Sequence, residues 1–340
     1  MFIYLKYILI YLTILWIITL VSKRFNFVDK PDFRKVHTNK IINTSGVALY
    51  IYLVICISTH ELVPKLEEIL SFASFIVIAG FIDDRIKLTP SIKLLVISFP
   101  VIYLILNEFT LTDLGDYEFI GKISLGKFSI IFTILACGLL INSYNYVDGI
   151  DGLLISLTIS SLIYSMFLIK DPSVHQFLIL IIIALTINLF SNFLPQNNSY
   201  KTFMGDAGSL FIGFFASFFL IYLYKFKNIH PAYLIWICWF PIYDFLCVTI
   251  IRLIKRQSVY LPDNLHFHHF LLKYINSHFK ISFIILMLNS FIMALGYFTT
   301  THLGKLYSLI LFFLLFIIYF FIRMKFENRG VEQSGSSSGS

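Results

Sequence analysis

The sequence predicts an all-α, polytopic membrane protein of about eleven transmembrane helices, with ten as the alternative count. Of its 340 residues, 58% are hydrophobic and 13% are charged, and the mean hydropathy is +0.83. Soluble domains are about a quarter charged, so a soluble globule of this composition would expose far too much apolar surface. In addition, apolar runs approaching the ~20 residues that cross a bilayer recur along the whole chain.

Eleven apolar runs are predicted to cross the membrane, and several are shorter than about 20 residues, which makes the count approximate. They are Phe2–Val21, Gly46–Thr59, Leu66–Ile82, Ile92–Leu106, Phe128–Ile141, Leu153–Ile169, Phe177–Leu194, Leu210–Tyr224, Ala232–Ile251, Ile281–Thr300 and Leu306–Ile322. The first run is predicted to be retained, because its positive residues follow it and no small-residue cleavage site is evident. Residues 1–330 are predicted to form a single membrane domain, and residues 331–340 a flexible tail of the kind left by an expression vector.

The positive charges divide unevenly between the two sides of this arrangement. Eighteen of the 26 Lys and Arg residues fall on one side. Short cytoplasmic loops of membrane proteins are rich in Lys and Arg, so this side is predicted to face the cytoplasm. The net charge of +7 therefore follows from topology and does not indicate nucleic-acid binding. The four cysteines lie in apolar runs without the paired spacing of a zinc site or a disulfide framework.

Four dense polar segments lie at helix ends on the predicted cytoplasmic side, whereas the acids of the other side are scattered. The segments are Gly80–Arg85, Asn142–Gly152, Phe203–Ser209 and Asn264–His269. Five aspartates facing lipid would cost on the order of 10 kcal/mol. They are therefore predicted to face a water-filled cleft or a cation; these residues are Asp83, Asp84, Asp148, Asp151 and Asp206.

Several carboxylates together favour a hard cation such as Mg²⁺, which uses one or two protein carboxylates plus substrate phosphates. Asp148 and Asp151 are three residues apart and would share one face if the segment begins a helix. The glycines between and after them expose N–H groups that suit a phosphate. Phe203, three residues before Asp206, is placed to stack on a base beside a metal-bound phosphate. The segments thus predict a site for a phosphorylated substrate.

Each of these residues also has a plainer interpretation. The pair Asp83–Asp84 could cap a helix or pair with neighbouring basic residues, and a lone Phe is usually a core or lipid-facing residue. The three histidines could hold zinc, contact a phosphate or substrate, or be structural. Lys93, inside an apolar run, is predicted to point into the cleft. The basic residues of the first inner loop, Lys35 and His37 among them, would attract anions as well as satisfy the topology rule.

Taken together, these segments resemble the polyprenyl-phosphate N-acetylhexosamine-1-phosphate transferase family, the WecA, TagO and MraY group of glycosyltransferase family 4. Five motifs follow in the family's order from about Asp29 to His269. They are D-x-P-x-x-R-K-x-H at Asp29–His37, the paired aspartates Asp83–Asp84, N-x-x-N-x-x-D-G-x-D-G at Asn142–Gly152, F-M-G-D-x-G-S at Phe203–Ser209 and H-x-H-H at His266–His269. One such match would be weak evidence, whereas five in order are specific.

The resemblance implies a Mg²⁺-dependent enzyme, with Mn²⁺ as a substitute, in the bacterial inner membrane with its active site facing the cytoplasm. Its substrates would be a UDP-sugar and undecaprenyl phosphate, and its products polyprenyl-diphosphate-sugar and UMP, in the first membrane step of cell-surface glycan synthesis. By motif, the catalytic residues would be Asp83, Asp84, Asp206 and Lys93, with Asp206 and Asp84 at the metal. The substrate-binding residues would be Asn142, Asn145, Asp148, Asp151, Phe203, His266, His268, His269, Lys35 and His37.

Within these, the resemblance implies that Phe203 stacks on uracil while Asn145, Asp148 and Asp151 line the nucleotide pocket. Lys87 stands where some family members have a third carboxylate. Two other function classes are kept: a transporter or lipid flippase, since intramembrane acids also mark ion pathways, and a zinc-dependent membrane hydrolase. The sequence does not determine which N-acetylhexosamine is transferred or whether the protein forms a homodimer.

Overall fold

The computed structural model describes residues 2–29, 41–58, 65–258 and 265–336, and these ranges are almost entirely helical. A 3₁₀ turn, Gly126–Phe128, precedes the fifth helix. In chain order the helices are α1 (Phe2–Arg24), α2 (Ser45–Ser58), α3 (Leu66–Asp83), α4 (Pro90–Leu106), α5 (Ser129–Val147), α6 (Leu153–Leu168), α7 (Pro172–Asn192), α8 (Gly205–Phe226), α9 (Pro231–Leu234), α10 (Trp239–Ile254), α11 (Phe267–Leu272), α12 (His278–His302) and α13 (Lys305–Ser336).

Two short antiparallel hairpins complete the described part of the chain. Strands β1 (Val28–Asp29) and β2 (Ile41–Ile42) pair just before α2, and β3 (Asp113–Tyr117) and β4 (Gly121–Ser124) pair before α5. Ile42 also forms a parallel bridge to Thr202. This bridge ties the segment that enters α2 to the segment that enters α8.

The helices confirm the predicted class, an all-α polytopic membrane protein. Within the described ranges, α1, α5, α7, α8, α12 and α13 are each long and apolar enough to cross a membrane, and α2, α4 and α6 are shorter apolar helices. Ten of the eleven predicted runs each coincide largely with a single helix.

The ninth predicted run, Ala232–Ile251, is not one helix, and on this point the prediction was wrong. The helix is interrupted between α9 and α10, where the chain forms a turn. Pro241 is the third residue of α10, where its missing N–H would have no intrahelical partner in any case. A helix continuing upstream would press its ring against the carbonyl of Ile237. That carbonyl instead accepts a hydrogen bond from Ser161 Oγ at 2.7 Å.

Helix starts follow ordinary capping chemistry. Helices α4, α7 and α9 each begin with a proline at a position where the helix needs no N–H donor. The preceding side chains of Thr89, Asp171 and His230 accept hydrogen bonds from the first turn of these helices, and Ser277 does the same for α12. These caps fix where the chain turns back into the bundle.

Helix α8 lies at the centre of the bundle. Its most apolar stretch is 83% buried, whereas the corresponding stretch of α13 is 6% buried and is left to the lipid. Glycines let neighbouring helices approach it closely. A Cβ built on Gly46 would lie 2.2 Å from the Cα of Gly208, and one on Gly80 would lie 2.4 Å from the backbone nitrogen of Ala207. The first turns of α8 are therefore held between α2 and the end of α3.

The two ends of the bundle differ in character. The polar segments after α3, α5, α7 and α10 meet at one end, which we call the polar face. At the opposite end the β3–β4 hairpin rests on the end of α8 and the start of α9. Here the Tyr224 hydroxyl donates to Asp113 Oδ2 at 2.7 Å, and Lys122 Nζ lies 3.1 Å from the same oxygen.

Candidate active site

The centre of the polar face is the first turn of α8. Gly205 has φ +68°, and a Cβ there would lie 2.5 Å from the Asn43 carbonyl oxygen and 2.6 Å from Asp84 Oδ2. A side chain at this position would be both strained and obstructed. The backbone N–H of Asp206 donates to both Asp84 oxygens, at 3.2 and 3.1 Å. Asp84 thus binds the positive end of α8 and fixes the helix that carries Asp206.

Two carboxylates share two ammonium groups at this point. Lys93 Nζ lies 2.7 Å from Asp83 Oδ2 and 3.3 Å from Asp206 Oδ2, and Lys87 Nζ lies 3.6 Å from both oxygens. The other oxygen of Asp83 accepts the backbone N–H of Leu88 at 2.7 Å. Asp83 is only 2% exposed, and such a carboxylate is stabilised only when paired. Lys93 does reach the cluster, as its position inside an apolar run predicted.

Of the two asparagines near the end of α5, one joins this cluster. Asn145 Nδ2 donates to Asp206 Oδ1 at 3.0 Å and to Ser209 Oγ at 2.8 Å. Asn142 Nδ2 instead donates to the carbonyl of Gly138 in its own helix at 2.7 Å. Asn145 therefore orients Asp206, while the amide nitrogen of Asn142 is held away from it.

The Asp148–Gly152 segment is a turn and not the start of a helix, because α6 begins only after Gly152, whose φ is +77°. The carboxyl group of Asp148 forms no hydrogen bond or ion pair with the residues that the structure describes, while its backbone N–H donates to the Asn145 carbonyl at 3.3 Å. Burial, together with the negative charges of Asp206 and Asp151, raises its pKa to about 7. A cation bound nearby would favour the charged form of this carboxyl group.

Asp151 is in a different environment from Asp148. Its Oδ2 lies 2.7 Å from Lys201 Nζ, and its Oδ1 lies 3.4 Å from His278 Nδ1. Burial opposes ionisation, but the hydrogen bonds from His278 and Lys201 outweigh it and hold the pKa of Asp151 below its ordinary value. Asp151 thus joins three segments: its own turn, the approach to α8 and the start of α12. In the sequence, Lys201 was counted only among the basic residues that predict the cytoplasmic side, and His278 was not considered.

Replacing Lys201 with Met is expected to lower the stability of the protein. Lys201 is 3% exposed and also donates to the Asn192 carbonyl oxygen. Breaking a buried ion pair costs about 3–5 kcal/mol, and the loss should fall below that range because His278 remains beside Asp151. The check is the midpoint of thermal unfolding in detergent for Lys201→Met.

Lys170→Met serves as the control, since Lys170 is an exposed residue at the opposite end. The folded-state pKa of Asp151 is lowered, so its contribution to stability is present above the unfolded pKa of about 3.9 and lost below it. The difference between Lys201→Met and wild type should therefore persist at pH 7 and shrink below about pH 4. Equal unfolding midpoints for the two variants at pH 7 would contradict this structural role.

Phe203 is held through its backbone next to the cluster. Its N–H donates to the Ile42 carbonyl at 2.7 Å, and its own carbonyl accepts from Ser45 Oγ at 2.9 Å. Its half-buried ring lies 5.4 Å from Lys201 Nζ. The ring thus lies near the lysine that pairs with Asp151, and its stacking on a base stays a prediction.

The histidine segment packs against the end of α5 and the turn that follows it. His268 is fully buried, and a Cβ on Gly149 would lie 2.1 Å from its Nε2. Burial holds the pKa of His268 well below its usual range, so its ring is neutral. His266 is 4% exposed and stacks on Tyr146, and the half-buried His269 ring lies 4.2 Å from that of His268. Among the described residues, no three His, Cys, Asp or Glu side chains form a group that could hold a metal unaided.

Some predicted site residues lie outside the described part of the chain. Lys35 and His37 belong to residues 30–40, which the structure does not describe, so their assignment to substrate binding stays a prediction. Other residues at this face were missed by the sequence analysis: Asp244 of α10 and Tyr319 and Arg323 of α13, which all contact the segment that carries the histidines.

The arrangement is suited to binding an anion next to a cation. Asp206 and Asp83 concentrate negative charge, while Lys93 and Lys87 bring positive charge to the same point. A Mg²⁺ ion needs only one or two protein carboxylates when phosphate oxygens and water complete its shell. The residues present therefore fit a metal held jointly by protein and substrate.

Comparison with known proteins identifies relatives over most of the chain. A family model described as "Glycosyl transferase family 4" matches residues 68–224. An Escherichia coli K12 protein named undecaprenyl-phosphate alpha-N-acetylglucosaminyl 1-phosphate transferase is 30% identical over 260 residues, 74% of this chain and 71% of the relative. A Bacillus subtilis protein named probable undecaprenyl-phosphate N-acetylglucosaminyl 1-phosphate transferase is 30% identical over 334 residues, 94% of this chain and 90% of the relative.

Proposed function

The chain belongs to glycosyl transferase family 4, and from this premise we propose that it transfers N-acetylglucosamine 1-phosphate from UDP-N-acetylglucosamine to undecaprenyl phosphate. The protein is an enzyme of the phosphotransferase class, as its relatives' names indicate. A phosphate oxygen of the lipid forms a bond to the β-phosphorus of the UDP-sugar. The bond from that phosphorus to the bridging oxygen breaks, and UMP leaves with that oxygen.

The observation that carries the proposal is the meeting of Asp83, Asp206 and Lys93 at the start of α8. Phosphoryl transfer depends mainly on positioning and on neutralising charge. Lys93 would neutralise charge on the diphosphate. Asn145 would hold Asp206 in one orientation. A phosphate group is already largely dianionic at pH 7, so abstraction of a proton from the lipid phosphate contributes little.

Mg²⁺ is the proposed cofactor, with Mn²⁺ as a substitute. Asp206 would hold it with help from Asp84, whose oxygens lie 3.2 and 3.1 Å from the backbone nitrogen of Asp206. When bound, the ion would offset the negative charge that develops on the diphosphate during transfer. Lys87 and Lys93 then remain to pair with substrate phosphates and Asp83.

The polar face is proposed to lie on the cytoplasmic side of the bacterial inner membrane. Exposed basic residues, Arg85, Lys87 and Lys255 among them, accompany the carboxylates at this face, as expected for cytoplasmic ends. The soluble nucleotide sugar would enter from the cytoplasm, and the lipid phosphate would reach the same cluster from the bilayer. A transporter would instead need polar residues along its path through the bundle.

The test is transfer of label by the purified protein in nanodiscs that contain undecaprenyl phosphate. UDP-N-acetylglucosamine labelled in its β-phosphate should give label extractable with lipid, together with an equal amount of UMP. EDTA should abolish the transfer, and Mg²⁺ or Mn²⁺ should restore it. Label released as water-soluble sugar phosphate would instead indicate a hydrolase, and label recovered only in unreacted donor would contradict the proposal. A panel of UDP-sugars in the same assay identifies the preferred N-acetylhexosamine.

A further inference from the structure

A buried carboxylate in α10 has no role in the chemistry described so far. Asp244 is 0% exposed, and three donors surround it. His266 Nδ1 lies 2.8 Å from Oδ2, while the backbone N–H of Phe267 and the hydroxyl of Tyr319 each reach Oδ1 at 2.9 Å. A buried carboxylate is costly unless hydrogen bonds satisfy it. Asp244 thus acts as an acceptor toward all three neighbours.

This arrangement determines which nitrogen of His266 holds a proton. An ionised carboxylate can only accept, so Nδ1 must be the N–H that faces Asp244. The second ring nitrogen, Nε2, is then the one left for another partner. It is buried and has no hydrogen-bond partner among the residues that the structure describes. Such a nitrogen calls for a ligand, because an unsatisfied buried polar atom is unfavourable.

The imidazole of His266 lies beside the candidate active site. Its ring stacks on Tyr146 with centroids 5.1 Å apart and planes 19° apart. Tyr146 directly follows Asn145, which donates to Asp206. The ring of His268 lies parallel to that of His266 at 5.9 Å, against Gly149. A chain of contacts therefore connects Asp244 to the carboxylate cluster.

The last helix closes this arrangement from the lipid side. Arg323 of α13 donates to the backbone carbonyl of Leu265, and its guanidinium carbon lies 5.6 Å from the ring centroids of Phe267 and Phe270. Tyr319 lies one turn before Arg323 and reaches Asp244. The histidine segment is thus clamped between α10 and α13, which limits its motion.

We propose that Asp244 is a positioning residue, which fixes His266 with its proton on Nδ1 and directs Nε2 toward the UDP-sugar. This inference rests on the proposed function. Asp244 does not contact the substrate. Because Nδ1 keeps its proton in both the neutral and the charged ring, Nε2 is the nitrogen that can carry or give up a proton beside the diphosphate or sugar.

Asp244→Asn tests this role with little change in volume. The Asn oxygen would stay toward Phe267 and Tyr319, which both donate. Its amide group would then face His266 Nδ1 and donate to it, so that Nδ1 becomes the acceptor and the proton moves to Nε2. Mutating the hydrogen-bond partner that orients a metal-ligating histidine typically costs roughly 10- to 100-fold in activity or metal affinity, and we take the same range for this substrate-facing histidine. We expect kcat to fall by that factor while KM for undecaprenyl phosphate stays unchanged.

The matched control is Tyr243→Phe, which removes a buried hydrogen bond one residue earlier on α10, from the hydroxyl to the Phe312 carbonyl. It should lower thermal stability without changing kcat. Equal kcat for Asp244→Asn and Tyr243→Phe would overturn the inference.

A second measurement reads the ring state in the wild-type protein itself. Nitrogen-15 NMR of histidine-labelled wild-type protein reports which ring nitrogen is protonated, and His266→Gln assigns the signal. A protonated Nδ1 in the wild type supports the inference, and an unprotonated Nδ1 overturns it. The two proposals fail separately: absence of transfer by wild-type protein contradicts the proposed function, whereas the ring state is read without substrate.

Discussion

Asp206→Asn is expected to reduce sugar-phosphate transfer by at least about 1,000-fold, equivalent to ~4 kcal/mol of transition-state stabilisation. The substitution keeps the oxygen that accepts from Asn145 at 3.0 Å. It replaces the other oxygen, which faces Lys93 at 3.3 Å and Lys87 at 3.6 Å, with an NH₂ group. The new NH₂ group would then face the ammonium groups of Lys93 and Lys87, so that three donors meet without an acceptor. The side chain proposed to bind Mg²⁺ would also lose its negative charge. Initial rates of labelled lipid formation in nanodiscs measure the effect.

Asp113→Asn is the matched control for this experiment. Asp113 is also a carboxylate at the beginning of an ordered element, paired with Lys122 at 3.1 Å and with the Tyr224 hydroxyl at 2.7 Å. It lies at the opposite end of the bundle, so this variant should keep the wild-type rate. A wild-type rate for Asp206→Asn would remove the carboxylate cluster from the proposed mechanism.

Gly46→Ala is expected to have the second-largest effect, through the packing of α2 on α8. The added Cβ would lie 2.2 Å from the Cα of Gly208, 2.4 Å from its backbone nitrogen and 2.7 Å from the Met204 carbonyl oxygen. Backbone atoms cannot rotate away, so the two helices must separate. Overpacking typically costs about 1–3 kcal/mol and occasionally more, and we expect a value of at least about 3 kcal/mol here. The midpoint of thermal unfolding and the yield of monodisperse protein measure it.

Gly138→Ala provides the comparison, because a Cβ on Gly138 meets nothing within 4 Å. Replacing a glycine inside a helix with alanine stabilises by up to about 1 kcal/mol when the methyl group meets no obstruction, so this variant should unfold at or slightly above the wild-type midpoint. Transfer activity should fall with Gly46→Ala, since the same separation displaces Asp206. If Gly46→Ala unfolds like Gly138→Ala, the close approach of α2 and α8 is not required for stability.

Much of the fold followed from the sequence, since a helix in lipid must be apolar for most of its length. The break between α9 and α10 did not follow, because Trp236–Cys238 is as apolar as the helices around it. The break depends on Pro241 and on Ser161, which supplies a hydrogen bond to the Ile237 carbonyl from 76 residues away. A hydropathy pattern cannot show that a hydroxyl distant in sequence satisfies the carbonyl group exposed by the break.

The candidate site was accessible to sequence reasoning only where its residues form compact segments. The acidic pair after α3 and the start of α8 could be found, because polar residues at the end of an apolar run are conspicuous. Lys201, His278 and Asp244 could not. In the sequence, Lys201 looks like any of the basic residues that orient the protein in the membrane. Asp244 is a single acid in an apolar run, and its partner His266 is 22 residues away. Their roles arise from tertiary contacts alone.

The contrast between α8 and α13 bears on how the protein should be handled. Asp206 is carried by a helix whose apolar stretch is mostly buried, whereas little of the apolar stretch of α13 is buried. A detergent that replaces the bilayer therefore acts first on α13, and through Tyr319 and Arg323 on the histidine segment. If activity is lost on solubilisation and recovered on return to lipid, the contacts of α13 with the histidine segment have loosened while the carboxylate cluster around Asp206 has stayed intact. The choice of lipid is then a variable of the activity assay.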